Sequence, residues 1–384
     1  MATGVLALLE LSDNPLLLGI RIGEKTAESD GQFGLLLQVL ERYGERCSPD
    51  ALRALASFVR RVIRHNRTSP SALLDAVPAS GEVPAVRWLR AMVCEATGAF
   101  AEALYILESL PDPDPVEGRA LRLLGVVRVL IASNHPEAAA YALRDAIWCA
   151  SAYRTLQAAD VLVTTLVSIP VAYIRRKARI GLVGESTLDL MAPALRATAF
   201  AAGIHAEVYV GGIGQYQQEI LDSQSSLAAF RPEAVIIAPH WRSLGLENES
   251  GDPAAQIDSA VTAFVDLWRN CRERLHALVI QHNLETPSTD PYGRLSRSLP
   301  GGRARVIEGI NAALWDAERI EPGVAIVDVD AAAAQFGKSA WNDAVLWHTA
   351  KQYPSVDAMP SLARRDVAAL QSAWGLGAKC VALD

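Results

Sequence analysis

Apolar residues recur at every third or fourth position from the start of the chain to about residue 165, as in PDALRALASFVRRVIRH and VEGRALRLLGVVRVLIAS. That spacing lays one apolar stripe along a helix, so this region predicts helices and no strand. Within it, ATGAFAEALYILESLPDP (residues 96–113) is echoed by ASNHPEAAAYALRDAIWCA (residues 132–150), an offset of about 36 residues. Small residues at the turn and an Ala-rich second helix are what tetratricopeptide repeats use to bring paired helices close. Only two units are visible and the motif is incomplete. Residues 1–170 therefore read equally as a tetratricopeptide-like interaction domain or as a plain helical bundle.

The pattern changes at RRKAR, residues 175–179. Short β-branched and apolar runs follow, ARIGLV, AEVYV, AVIIAP, HALVIQ and VAIVDV, separated by amphipathic stretches of helical length. This alternation is the signature of a parallel sheet covered on both faces, so residues 177–375 predict an α/β domain. Ligands of such sheets bind beyond the carboxyl ends of the strands. The residues just after each run are therefore the candidates for chemistry.

After the first run stands GESTLDLM, with Ser186 ahead of a helix-like segment. Two readings stand side by side. Its hydroxyl can cap the helix, or it can act as a nucleophile whose developing charge is stabilised by the helix N-terminus and nearby backbone N–H groups. After the second run, GGIGQ offers Gly212 and Gly214 as backbone donors to an oxyanion. It is not a GxGxxG fingerprint, and no acidic residue follows where a dinucleotide fold requires one.

The third run ends in APHWRSLG, which puts His240 and Arg242 at the sheet edge, and the fourth in IQHNLETP, which puts His282 and Asn283 there. These groups suit a substrate carbonyl, carboxylate or phosphate. WNDAVLWHTAK adds Asp343 and His348, which with an earlier Ser match one chain order of a Ser-His-Asp relay. VDVD reads as a buried strand whose last residue, Asp330, caps the next helix. No HxH, HExxH or cysteine pairing suggests a metal site.

Composition narrows the classes. A chain of 384 residues has room for two domains, and a net charge of -7 argues against broad nucleic-acid binding. Five cysteines, odd in number and without CxxC spacing, fit a reducing compartment. No signal peptide is recognisable and no apolar run is long enough to span a membrane, so a cytoplasmic location is expected. Arg60, Arg61, Arg64 and Arg67 form a basic helical stretch that suits either an acidic partner or solvent.

The stretch VGESTLDLMAPALRATAFAAGIHAEVYVGGIGQYQQEILDSQSSLAAFRPEAVIIAPHWR, with WNDAVLWHTAKQ and GAKCVALD, resembles the FkbH-like proteins of polyketide and related natural-product pathways. The resemblance spans residues 177–384, and GQYQQEILDSQSSLAAFRPEAVI is its most specific part. It implies an SGNH-hydrolase-like, flavodoxin-like domain followed by a haloacid dehalogenase-like phosphatase. It also implies a protein that takes a glyceryl unit from a phosphorylated three-carbon metabolite and loads it onto an acyl carrier protein. On that reading Ser186 is the acyl-bearing nucleophile and His348 its base, with Asp343 as the weaker third member. Gly212 or Gly214 donates to the oxyanion, and His240, Arg242 and Asn283 position substrate.

Relatives carry Cys where this sequence has Ser186. Their Asp and His stand three residues apart, whereas Asp343 and His348 are five apart, and His240 occupies the place of the family's asparagine. KCVALD is expected to be the first strand (376–384) of the phosphatase domain, with Asp384 its first aspartate. No cofactor is expected for this chain, Mg²⁺ being needed only with that further domain. Two other readings remain, a non-catalytic docking module of a longer protein and a plain esterase. The expectation is tested by offering a generic phosphate ester with Mg²⁺. This chain should leave it intact, and clear turnover would contradict the reading.

Overall fold

The structure, a computed structural model, describes residues 9, 12–30, 34–45, 47–64, 70–79, 81–111, 116–167 and 169–377. The chain divides into two compact units, Met1–Val171 and Ala172–Asp384. The first unit is helical in its described residues: α1 (Pro15–Asp30), α2 (Gly34–Tyr43), α3 (Pro49–Arg64), α4 (Pro70–Ala76), α5 (Pro84–Thr97), α6 (Phe100–Ser109), α7 (Val116–Ala132), α8 (Pro136–Cys149) and α9 (Tyr153–Leu166).

The echo in the sequence is a repeated turn. Helix α5 closes on Gly98 (φ 81°) and α7 on Asn134 (φ 62°), both left-handed. In each case the next residue's N–H reaches back five residues, Ala99 to the Cys94 carbonyl at 2.9 Å and His135 to the Leu130 carbonyl at 2.8 Å. Gly and Asn are the residues that tolerate this conformation, so the same C-terminal motif starts two successive helical hairpins. The small residues Ala103 and Ala139, both fully buried, let the following helices pack closely.

A buried carboxylate ties three helices of this unit. Glu117, at the start of α7, accepts from the Ser151 and Ala152 N–H groups at 2.7 and 2.9 Å and from the Ser151 and Thr155 hydroxyls. It also pairs with Arg53 of α3 at 2.8 Å. Burial opposes its charge, but the hydrogen bonds from Thr155, Ser151 and Ala152 outweigh that and lower its pKa.

The second unit holds β1 (Arg176–Gly184), α10 (Met191–Ala201), β2 (Ile204–Val210), α11 (Tyr216–Leu221), α12 (Ser226–Phe230), β3 (Ala234–Ala238), α13 (Pro253–Arg274) and β4 (Leu278–His282). After these come α14 (Leu295–Ser298), α15 (Arg303–Glu318), β5 (Val324–Val327), α16 (Val329–Phe336), α17 (Lys338–Trp341), α18 (Ala344–Ala350) and α19 (Met359–Ala373). All strand pairs are parallel and the order is β2-β1-β3-β4-β5, so the chain changes direction across the sheet between β1 and β3. This is the flavodoxin-like doubly wound order, whose ligand crevice lies at that switch.

Strand β4 shows how both faces are used. Its consecutive residues point to opposite faces: Gln281 accepts a 2.8 Å bond from the Trp268 indole N–H on α13, and His282 bonds Asp366 of α19 at 2.7 Å. Helices α10 and α19 pack together on one side, and α13 packs with α11 and α15 on the other. Glycine matters at the switch. A Cβ on Gly184 would strike the Ala238 carbonyl, so only glycine lets the ends of β1 and β3 approach.

One expected cap is reassigned. The N-cap of α16 is Asp328, which accepts from the Ala331 N–H at 3.0 Å, while Asp330 lies inside the helix. The expected strand at 376–384 falls outside the described residues from 378 onward, as do Cys380, Arg67 and the side chain of Arg64. Among the described residues no helix is long and apolar enough to cross a membrane.

Glu117→Ala should cost about 3 kcal/mol, because it leaves the Ser151 and Ala152 N–H groups without their acceptor and takes from Arg53 its buried partner. A depressed pKa stabilises the fold above the ordinary carboxylate range and loses that contribution as pH falls through it. The gap between wild type and variant in urea denaturation should therefore narrow from about pH 6 to about pH 3. A gap that widens on acidification would contradict the assignment.

Candidate active site

Ser186 caps no helix. The N-cap of α10 is Leu190, which makes no side-chain capping bond, and Ser186 lies in the loop between β1 and that helix. It is buried, and its Oγ donates to the Tyr353 carbonyl at 3.3 Å. Its neighbour Thr187 donates its N–H to the Lys351 carbonyl at 2.9 Å and its hydroxyl to the Ala350 carbonyl. Residues 350–354 thus run alongside the end of β1.

Among the described residues, neither the Ser186 N–H nor the Gly212 N–H donates a hydrogen bond. The Gly214 N–H is committed to the Gly184 carbonyl at 3.0 Å. Of the two glycines considered as oxyanion donors, Gly212 retains its donor and Gly214 does not.

At the end of β3, His240 is buried and packed by aromatic rings. Trp347 of α18 stacks on it at 4.3 Å, and Tyr353 meets it edge-on at 4.7 Å. The Arg242 N–H donates to His240 Nδ1 at 3.2 Å, and Arg242 Nη1 lies 3.3 Å from Nε2. Burial, with the nearby charges of Arg242 and Lys351, pushes its pKa down to about 3, so the ring is neutral at physiological pH. The Arg242 guanidinium lies over Trp241 (4.3 Å) and Trp347 (5.1 Å), Arg303 covers Trp241 and Lys351 covers Trp347. Cations and rings alternate in a wall, each cation resting on a π-face.

Beyond β4 lies Glu285, which was not singled out from the sequence although it stands in the quoted IQHNLETP. It is buried and accepts from the Tyr353 hydroxyl at 2.9 Å and the Asn342 amide at 2.6 Å. The same Tyr353 hydroxyl accepts from the Trp341 indole N–H at 3.1 Å. Burial outweighs these bonds and raises the Glu285 pKa to about 7. Glu185, next to Ser186, is also raised by burial, against the pull of Lys351.

Three candidates are placed otherwise than the sequence suggested. Asn283 spends its amide on the fold, donating to Asp328 at 2.9 Å and accepting from the Val329 and Asp330 N–H groups at 2.7 and 3.1 Å. It orients the end of β4 on α16. Asp343 is the N-cap of α18, accepting from the Leu346 N–H at 2.9 Å. His348 is exposed on the last turn of α18 and bonds neither Asp343 nor Ser186. The relay of Ser186, His348 and Asp343 is therefore not assembled. Helical geometry explains the miss: WNDAVLWH is a capped helix in which Trp347, not His348, faces the sheet.

The sequence model of the FkbH N-terminal domain matches residues 179–371, half of the chain and nearly all of the α/β unit. The chain belongs to the FkbH family. Among solved structures, this FkbH protein is similar to the N-terminal part of BF1531 from Bacteroides fragilis, described as containing a phosphatase domain complexed with Mg. The two share 20% identity with a TM-score of 0.50, over 58% of this chain and 57% of that one. At that identity the likeness is one of fold, and the chain spans little more than half of that structure. No curated protein matches the sequence. Among the described residues, no group of three His, Cys, Asp or Glu side chains is placed to hold a metal.

The raised pKa of Glu285 carries a sign. A carboxyl whose folded pKa exceeds its unfolded one contributes stability below the unfolded pKa and loses it as pH rises through about 7. Glu285→Gln keeps an acceptor for Tyr353 and removes the titration. Its stability relative to wild type should rise by on the order of 3 kcal/mol between about pH 4 and pH 8, read from urea denaturation. A difference independent of pH would show that Glu285 titrates normally.

Proposed function

We propose that the α/β unit of this FkbH protein is an acyl-handling module. In this reading Ser186 takes the acyl group of a phosphorylated three-carbon acid, presented as an acyl phosphate, and passes it to an acyl carrier protein. The observation that carries it is the state of Ser186. It stands at the β1/β3 switch, caps nothing, and keeps its own N–H and that of Gly212 uncommitted. Uncommitted backbone N–H groups at the strand ends are the kind of donor that a tetrahedral oxyanion needs. Arg242 and Lys351 supply positive charge for an anionic donor.

Among the described residues no base bonds the Ser186 hydroxyl, and this selects the kind of donor. An unassisted serine hydroxyl is a poor nucleophile, and its hydrogen here points to a carbonyl that cannot keep a proton. His240, neutral to about pH 3, is a weak base. An acyl phosphate brings its own acceptor: Oγ forms the ester bond, the carbon–oxygen bond to phosphate breaks, and the departing phosphate leaves with the hydroxyl proton. Transfer to the carrier then reverses the attack with a thiol. Mg²⁺ belongs in this reading to a phosphatase domain.

The unassembled relay also favours a second reading, in which the unit binds carrier or donor without chemistry. Intact-mass measurement after incubation with acetyl phosphate separates the two. The acyl-handling reading predicts one stoichiometric acyl adduct in wild type, none in Ser186→Ala, and none from ethyl acetate, whose alkoxide is a poor leaving group. Equal labelling of wild type and Ser186→Ala would overturn the nucleophile. Carrier binding without any adduct would favour the docking reading.

A further inference from the structure

The helical unit contains a groove that the acyl chemistry does not use. Two adjoining depressions of about 250 and 210 Å³ share Ala56, Arg60, Met92 and Arg128, and together run across α3, α5, α7 and α9. The floor is apolar, with Val59 and Phe100 at one end and Leu121 and Leu124 at the other. The charged lining is one-sided: Arg53, Arg60, Arg128 and Arg154 against Glu95 alone. On a chain of net charge -7, a cationic groove is a local exception that selects for anionic ligands.

Two details say more about the occupant. Arg53 and Arg128 are held by Glu117 and Glu95 at 2.8 and 3.0 Å, so they form fixed walls. Arg154 is exposed and makes no hydrogen bond or ion pair among the described residues. Trp88, which lines the groove, is 4% exposed and its buried indole N–H has no partner among them. A buried donor left unpaired costs free energy, which an acceptor arriving with a ligand would recover.

We propose that this groove binds an acidic peptide segment carrying a large apolar side chain. The apolar side chain lies on Met92 and its neighbours, the carboxylates meet Arg60, Arg128 and Arg154, and a peptide carbonyl accepts from Trp88 Nε1. One peptide supplies all three features in one extended ligand. A free small anion supplies the charge alone.

The test uses the full chain and a fluorescein-labelled 12-residue peptide of alternating Asp or Glu with Leu or Phe, read by fluorescence anisotropy. Saturable binding is expected, weakening as salt rises and at least about tenfold weaker for Arg154→Glu, whose exposed side chain keeps the variant folded. Trp88→Phe, which keeps an aromatic ring there but removes the pyrrole ring with its N–H, should weaken binding about threefold or more. Circular dichroism confirms that both variants remain folded. The proposal is overturned if the peptide does not bind, if a Lys-substituted counterpart binds equally well, or if Arg154→Glu changes nothing. It is also overturned if inorganic phosphate displaces the peptide at an affinity equal to the peptide's own, which would mark a site for small anions only.

Discussion

The carboxyl edge of the sheet depends on residues 350–354 lying against the loop that follows β1. Thr187 reaches the Ala350 and Lys351 carbonyls, Ser186 reaches that of Tyr353, and the Tyr353 hydroxyl anchors on Glu285. Each hydrogen bond contributes on the order of 1 kcal/mol net. Burying Trp341, Trp347 and the ring of Tyr353 contributes about 2–3 kcal/mol apiece. Apolar packing thus holds the segment, and the hydrogen bonds set its register. That register decides which atom the Ser186 hydroxyl meets.

From this constraint follows the character of the site. The aromatic shell that holds the segment also dries His240 and Glu285, keeping the first neutral and bringing the second near neutrality. The cations resting on Trp241 and Trp347, Arg242 and Lys351, are exposed at the rim of that shell, open to an arriving anion. Among the described residues the Ser186 hydroxyl bonds the Tyr353 carbonyl and no base. On the proposed acyl-handling reading, that hydroxyl needs an electrophile that is already activated rather than an ordinary ester.

Much of the fold was legible because it rests on local patterns. The five apolar runs became the five strands, since parallel strands covered by helices on both faces read as near-continuous apolar stretches, most completely in the central, fully buried β3. The repeat near residues 96 and 132 became a shared left-handed turn at Gly98 and Asn134, with the helical hairpins that follow. The site was less legible. Ser186 in GEST has the composition of a cap, and only the delayed start of α10 at Met191 removes that role. His348 and Asp343 matched a chain order, yet in a short helix an N-cap and a last-turn residue do not meet. Glu285 and Tyr353 carried no motif, because long-range packing alone makes one buried and the other its partner.

The central claim is that acyl transfer passes through the Ser186 oxygen. Tandem mass spectrometry of peptides from wild-type protein labelled with an acyl phosphate tests it most directly. The account predicts the acyl group on Ser186, as a hydroxylamine-labile ester. Label found instead on Lys351, on a cysteine, or spread over surface lysines with Ser186 unmodified would contradict it.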